Sequence, residues 1–532
     1  MKRSFSGLLM TVMMVSAACA APAPQLQTPS SGAQSGGTLV IGIGSDPTIL
    51  DPMSVLNNEA SYIESIIFDR IVAYKPGTTE PAPNGLAESW TTSADGKTVT
   101  FKLRQGVKFH DGTPFNADAW VKELDRALDP SSPNYYKNVP GLSSHVPTTF
   151  KNVAGYAKVD ENTVRFTMKE ADSTFIPTLG RAATGVESPA AIVKWGKDIV
   201  QHPVGSGPFQ FTEWVQNDHV TLTANPNYWG GKPYLDRIIF RIIPENQVRL
   251  LKLQAGELQL MDGISPTDIP SVRADGKLQI LEQEGLTING VRFPTTTKPF
   301  DDKLVRQALN YAVDKEEMNK TLYQDVATTM VAPMPKVEWG VATLQPYAYD
   351  PAKAKQLLAQ AGYPNGFKVV LLSYDNPRGY NPVGSKMAVV VQDYLAKVGV
   401  QVEVSTMEFG TYLQTVRSGN WTGLSLGGYT GDNGDPDNFL YNLFSSATIP
   451  VGNSGAYKNT QVDDLTAKAQ TEPDIAKRTE LYKQAQQLIW DDAPWIWVNS
   501  VKQVRAASPK LNGYQLNPLQ VFFGMEKVWL SK

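Results

Sequence analysis

One cysteine in the whole chain, Cys19, sets the strongest constraint on folding: no internal disulfide can form, so whatever folds must be held by packing alone. The chain has the means for it. Hydrophobic residues make up 42% of its 532 positions, and single cores stop growing near ~250 to 300 residues, so more than one lobe is expected. Lys plus Arg number 49 against 52 for Asp plus Glu, a net charge of -3. That balance gives no broad basic footprint for nucleic acid, which is set aside as a partner.

The amino terminus reads as an export signal. Lys2 and Arg3 supply the positive start, Gly7 to Val15 an apolar run too short to span a bilayer, and Ser16, Ala17 and Ala18 a small-residue cleavage region. Ser-Ala-Ala-Cys resembles the bacterial lipoprotein processing box, with Ser16 where that pattern prefers leucine. The expectation is a signal peptide over 1–18, lipidation of Cys19 and a tether over 19–36 that holds the protein to the membrane from outside the cytoplasm. Removing the signal takes away Lys2 and Arg3 and no acid, leaving a charge of -5. From Ala20 to Gly37 the chain is Pro, Ser, Gly, Gln and Ala, too poor in large apolar residues to repay the entropy of ordering.

Ordered sequence begins at Thr38, where Leu39, Val40, Ile41 and Ile43 predict a buried strand ending at Gly44. Residues 60–72 predict a helix with Ile63, Ile66, Ile67 and Ile71 on one face. Strands over Thr98 to Leu103 and Thr163 to Met168 flank a helix from Ala117 to Leu128. A strand over Arg237 to Ile243 is followed by a helix over Val248 to Ala255. Later come long amphipathic helices at Asp302 to Tyr323, Pro351 to Ala361, Gly384 to Val398 and Asp474 to Trp490. Strands at Lys368 to Ser373 and Val400 to Thr406 bracket the third of these in a βαβ-like arrangement, and Trp495 to Ser500 is a further strand. The fold class is α/β.

Enzyme signatures are poor. His110, His145, His202 and His219 are scattered without ligand spacing, so no metal site is expected. Gly42-Ile43-Gly44 has Pro47 where a dinucleotide loop needs its third glycine. Asp432, Asp435 and Asp437 lack the glycine and closing glutamate of a calcium loop. Ser-x-x-Lys does not occur. No enzyme and no cofactor is the expectation.

Five phrases carry a resemblance: Leu86-Ala87-Glu88-Ser89-Trp90 with Ser93 to Lys97; Phe101 to Gly112; Gly205-Ser206-Gly207-Pro208-Phe209; Asn227-Tyr228-Trp229-Gly230-Gly231-Lys232-Pro233; and Val305 to Asp314. In this order, over a span from about Thr38 to the end, they resemble the family 5 extracellular solute-binding proteins of ABC importers. The resemblance implies a two-lobe clamp of the type II-like kind with an extra domain in the first lobe. Lobe I would comprise 37–69, 204–292 and 506–532, the insert 70–203, and lobe II 293–505. Partners would be a small solute, the transmembrane subunits of a permease, and the membrane through the lipid anchor, with the protein itself a monomer.

Within lobe II, Pro377-Arg378-Gly379-Tyr380-Asn381-Pro382 and Gly431-Asp432-Asn433-Gly434-Asp435-Pro436-Asp437-Asn438-Phe439 resemble the dipeptide-binding branch. That resemblance implies Arg378 on the peptide carboxylate and Asp432 on its α-amino group. Tyr429 stands where the branch often has tryptophan, lining the pocket, and Gly44, Ser45 and Asp46 are expected to offer backbone groups. The chemistry suits these roles: a zwitterion enclosed away from water needs an opposite charge at each end. Two residues extend at most ~7 Å, so two fixed charges would measure peptide length. Asp435 is expected to cap a helix over Asp437 to Phe444, and Asp437 to be first-turn charge. The same scaffold with a longer oligopeptide, glutathione, haem, a nickel chelate or an oligosaccharide is the alternative.

Overall fold

The structure, a computed structural model, describes residues 32–54, 57–138, 146 and 149–532. The signal segment, Cys19, the first part of the tether and His145 lie outside the described residues. Three sheets organise the chain. The first has seven strands in the spatial order Gln279–Gln283, Gln503–Ala507, Leu260–Met261, Thr38–Ile43, Arg237–Ile242, His219–Ala224 and Phe209–Val215. The second has six: Ala327–Thr329, Trp495–Val501, Thr287–Arg292, Leu424–Thr430, Lys368–Tyr374 and Gln401–Met407. The third has four antiparallel strands, Ala87–Thr92, Thr98–Leu103, Thr163–Met168 and Val153–Asp160, all from the inserted stretch. The molecule is thus an α/β clamp of two lobes with a third domain set into the first.

The opening strand shows why these elements form. Leu39, Ile41 and Ile43 are fully buried, and the strand runs parallel to Arg237–Ile242, as a strand covered on both faces does. Lys368–Tyr374 and Gln401–Met407 pair in parallel around helix Lys386–Ala396, the expected βαβ unit. The chain leaves the first sheet after Gln283 and returns to it at Gln503, so strand Thr287–Arg292 hydrogen-bonds within the second sheet.

Two helices differ from their sequence reading. The helix expected over 60–72 is Asn58–Ile67; Phe68 is already extended, at φ -109° and ψ 130°, because the chain turns there to enter the inserted domain. Ile71 is buried, but in the core of that domain rather than on the helix. The helix expected over 302–323 is two, Lys303–Ala312 and Lys315–Thr321. Val313 between them is extended, and the Asp314 carboxylate accepts from the Glu317 N–H at 3.0 Å, starting a new helix where the periodicity ran on.

The phrases that carried the resemblance hold the insert to lobe I. A Cβ on Gly205 would stand 2.1 Å from the Ile67 carbonyl oxygen, and one on Gly207 2.3 Å from that of Ile66, so only glycine lets the returning chain lie against the end of helix Asn58–Ile67. Beside them the buried Asp69 carboxylate accepts from Ser206 Oγ at 3.0 Å, Tyr228 Oη at 3.0 Å and Trp229 Nε1 at 2.7 Å.

Candidate ligand-binding site

A cavity of about 270 Å³ lies where four pieces of chain meet: the start of helix Asn58–Ile67, the insert around Arg181, the end of strand Leu424–Thr430, and the carboxy-terminal segment around Gln520. Asn57, Tyr62, Arg181, Tyr429, Asp432 and Gln520 are among its polar lining, and among the described residues Arg181 and Asp432 carry its charges. Pieces of chain far apart in sequence therefore line one cavity. The insert is also fastened to lobe II beside it: the Ser173 N–H donates to the Gln470 carbonyl at 2.8 Å and Ser173 Oγ to that of Glu472 at 2.7 Å.

Asp432 is oriented from its own loop. Its N–H donates to Asn438 Oδ1 at 3.1 Å, and Asn438 Nδ2 donates to its Oδ1 at 3.0 Å, leaving Oδ2 to an ion pair with Arg181 of the insert. Asn438 can do this because it sits in the first turn of helix Asp437–Phe444. Asp435 accepts from the Asp437 N–H at 3.0 Å, but Pro436, not Asp435, stands at the N-cap of the helix. Asp435 also takes Arg478 Nη2 on both oxygens at 3.0 Å in a buried pair. Asp437 is more than first-turn charge: burial first, then Asp435, pushes its carboxyl up to about 7, and Gln470 Nε2 donates to it at 2.9 Å. Tyr429 packs edge-on against Phe439 at 5.7 Å, and burial, then the nearby Asp432 carboxylate, push its phenol up, so it offers a neutral hydroxyl.

Arg378 belongs to a second cluster. Its backbone exchanges hydrogen bonds of 2.9 and 2.8 Å with Asn381. The buried Asn381 side chain in turn donates to Tyr374 Oη and accepts from Tyr323 Oη, both at 3.1 Å. The guanidinium lies over the Phe409 ring, 4.2 Å from its centroid. Ser45 hydrogen-bonds to Glu59, whose carboxyl is pushed up by burial first and by Asp262, and drawn down by Ser45 and Arg378. A Cβ on Gly44 would come 3.8 Å from Glu59 Oε1. Gly44, Ser45 and Arg378 thus gather around Glu59, in the first turn of the helix whose Asn57 and Tyr62 line the cavity. The Asp46 carbonyl is taken by Asn57 Nδ2 at 2.8 Å and its carboxylate by Trp214 Nε1 at 2.8 Å, so Asp46 braces the loop.

Of the residues read from the sequence, Asp432 and Tyr429 line the cavity, while Arg378, Gly44 and Ser45 lie in the neighbouring cluster. Gln520 joins the two: it lines the cavity, and its Oε1 would stand 2.9 Å from a Cβ on Gly379. Arg181, Asn57 and Gln520 were missed. Asn57 had a usable signal, a helix-start asparagine whose Oδ1 accepts from Ala60 N–H at 3.2 Å. Arg181 and Gln520 had none, since each acquires its neighbours from distant chain.

Comparison with known proteins agrees with this architecture. The chain is 38% identical to heme-binding protein A of Haemophilus influenzae, over 86% of each chain. It is 37% identical to the dipeptide-binding protein of Escherichia coli, over 85% of this chain and 87% of that one. Among solved structures it superposes with TM-score 0.81 and 32% identity on the periplasmic binding protein DppA of Helicobacter pylori in complex with the peptide STSA, covering 94% of this chain and 99% of that one. Residues 82–450 match the model of the bacterial extracellular solute-binding proteins, family 5, middle region. The chain belongs to the family 5 extracellular solute-binding proteins, the solute-capturing components of ABC importers.

Proposed function

We propose that this protein captures dipeptides, and tripeptides less well, outside the membrane and hands them to a permease, acting as a monomer anchored through lipid at Cys19. Asp432 receives the α-ammonium, Arg378 the carboxylate, Tyr429 lines the pocket, and the Gly44–Ser45 backbone faces the peptide. One observation carries the reading: Asp432, oriented by Asn438, faces a small cavity shared by both lobes and the insert. Sites for drug-sized ligands run ~300–1,000 Å³, so a volume of about 270 Å³ favours a dipeptide over a macrocycle or a long peptide. Two lobes and an insert meeting at the site suit a clamp that closes around its solute. The chemistry asked of the site is recognition, for which its described lining offers hydrogen bonds and two charges.

Calorimetric titration of the ligand-stripped protein with Ala-Phe, Ala-Ala-Phe and haem tests this. Tight binding of Ala-Phe, weaker binding of the tripeptide and none of haem is expected. Haem or a longer peptide binding more tightly than Ala-Phe would replace the dipeptide with another solute on the same scaffold.

A further inference from the structure

We propose a pH-sensitive joint where the inserted domain rests on helix Asn58–Ile67: Asp51, Glu64, Glu123 and Glu187 are buried there around the single guanidinium of Arg126, and the joint loosens as the solution turns from acid to alkaline. Asp51 lies in the loop after the opening strand and Glu64 on helix Asn58–Ile67. Glu123 and Arg126 stand on helix Ala117–Leu128, and Glu187 just before helix Pro189–Trp195. Each of these side chains belongs to a residue at most 4% exposed. Arg126 is ion-paired with Asp51, and its Nη1 donates to Glu123 Oε1 at 3.3 Å. Asp51 Oδ1 accepts from the Met53 N–H at 2.9 Å, and Glu187 Oε1 from the Val204 N–H at 2.7 Å. Glu123 Oε2 and Glu187 Oε2 are buried with no hydrogen-bond partner among the described residues.

Fully ionised, the joint would hold four carboxylates against one guanidinium, and a dry interior does not tolerate charge left unpaired. Arg126 answers Asp51 and one oxygen of Glu123, while Glu64 and Glu187 have no ion pair of their own among the described residues. Burial first, then Asp51, holds the Glu64 and Glu187 carboxyls well above the usual carboxylate range, and burial lifts Glu123 to about 7 against the pull of Arg126. A carboxyl raised in the folded chain stabilises the fold fully below its unfolded value and loses that contribution as pH rises through the folded one. For Glu123 the loss runs from 4.5 through about 7. Below that window the segments pack protonated carboxyls, which donate as well as accept. Above it like charges crowd together in apolar surroundings and the segments part. Helix Asn58–Ile67 and its cap also bring Tyr62 and Asn57 to the solute cavity, so the joint and the site share an element.

The test follows amide hydrogen exchange of the whole chain, corrected for the intrinsic rate, near pH 5 and near pH 9 in wild type and Glu123→Gln. Protection of helix Ala117–Leu128 in wild type should fall about tenfold or more between the two. Glu123→Gln keeps an oxygen for Arg126 and cannot ionise, so its fall should be clearly smaller. Should that variant not fold, Glu64→Gln takes its place with the same expectation. Equal protection of wild type at the two pH values, or a fall that the variant keeps in full, would overturn the proposal.

Discussion

At one end of the cleft Asp432 is oriented by Asn438, paired with Arg181 and floored by the buried Asp435–Arg478 pair. In the neighbouring cluster Arg378 is held through its backbone by Asn381, rests on Phe409 and draws the Glu59 carboxyl down, with no ion pair among the described residues. The carboxylate end is charge-balanced before any ligand arrives, so its ligand must compete or compensate. Arg378 has the Glu59 carboxyl near it, and in the proposed function the ligand carboxylate is its further counter-ion. Under the proposed function these opposite charges suit a zwitterion, and the difference in their surroundings should make the two clusters respond differently to mutation.

The largest effect should come from the floor of the first end. Asp435→Ala strands Arg478 without its buried partner, a loss of about 3–5 kcal/mol, seen as a lower denaturation midpoint. Next, Asp432→Ala should weaken Ala-Phe binding on the order of 1,000-fold, because the ligand ammonium loses its carboxylate and still faces Arg181; truncating one partner of a buried charge pair costs ~2–5 kcal/mol. Arg378→Gln should weaken it by about 100-fold, the lower part of the same range, since Phe409 and water still cover the site of the lost guanidinium. If Arg378→Gln proved the costlier change, the comparison between the ends would be reversed. Asn438→Ala leaves Asp432 in place and removes its orienting contact, so about tenfold, near ~1 kcal/mol, is expected by calorimetry.

A separate effect, read in stability rather than in binding, is in pH. Glu338 is buried near Asp435; burial first, then Asp435, raises its carboxyl from 4.5 to about 8, while the Trp339 N–H donates to it at 3.2 Å. A raised carboxyl means the folded chain binds the proton more tightly than the unfolded chain, so stability falls as pH rises from 4.5 through about 8. Glu338→Gln should flatten that fall, matching wild type in melting temperature near pH 5 and exceeding it at pH 9.

Much of this was legible in local sequence. Helix Asp437–Phe444 and the strands Thr98–Leu103 and Thr163–Met168 emerge at the expected residues, because apolar period and end signals lie within each segment. The break at Val313 was not legible: the apolar period runs through it, and only the Asp314 cap marks a new start. The Asp69 node shows why two glycine- and aromatic-rich phrases stand out while carrying no ligand chemistry, since Ser206, Tyr228 and Trp229 all converge on one buried carboxylate. Of the residues the phrases pointed to, Asp432 lines the cavity while Arg378 stands in the neighbouring cluster. Arg181 was not legible, because nothing in Leu179 to Gly185 announces a charge that will meet lobe II. Asp437 was expected as first-turn charge; helix Thr460–Thr471 also packs beside it, with Gln470 donating to its carboxylate.

The central claim is that two opposite charges, Asp432 and Arg378, hold the two ends of one small peptide, and the most direct measurement is a cycle of titrations that neutralises each end of ligand and site in turn. Ala-Phe, its amide and its N-acetyl form are titrated into wild type, Asp432→Asn and Arg378→Gln. Amidation should cost wild type about 100-fold and cost Arg378→Gln almost nothing further, while acetylation should be costly in wild type and nearly free in Asp432→Asn. Amidation that costs Arg378→Gln as much as it costs wild type would show that the carboxylate lies elsewhere, and the two-charge account would be wrong.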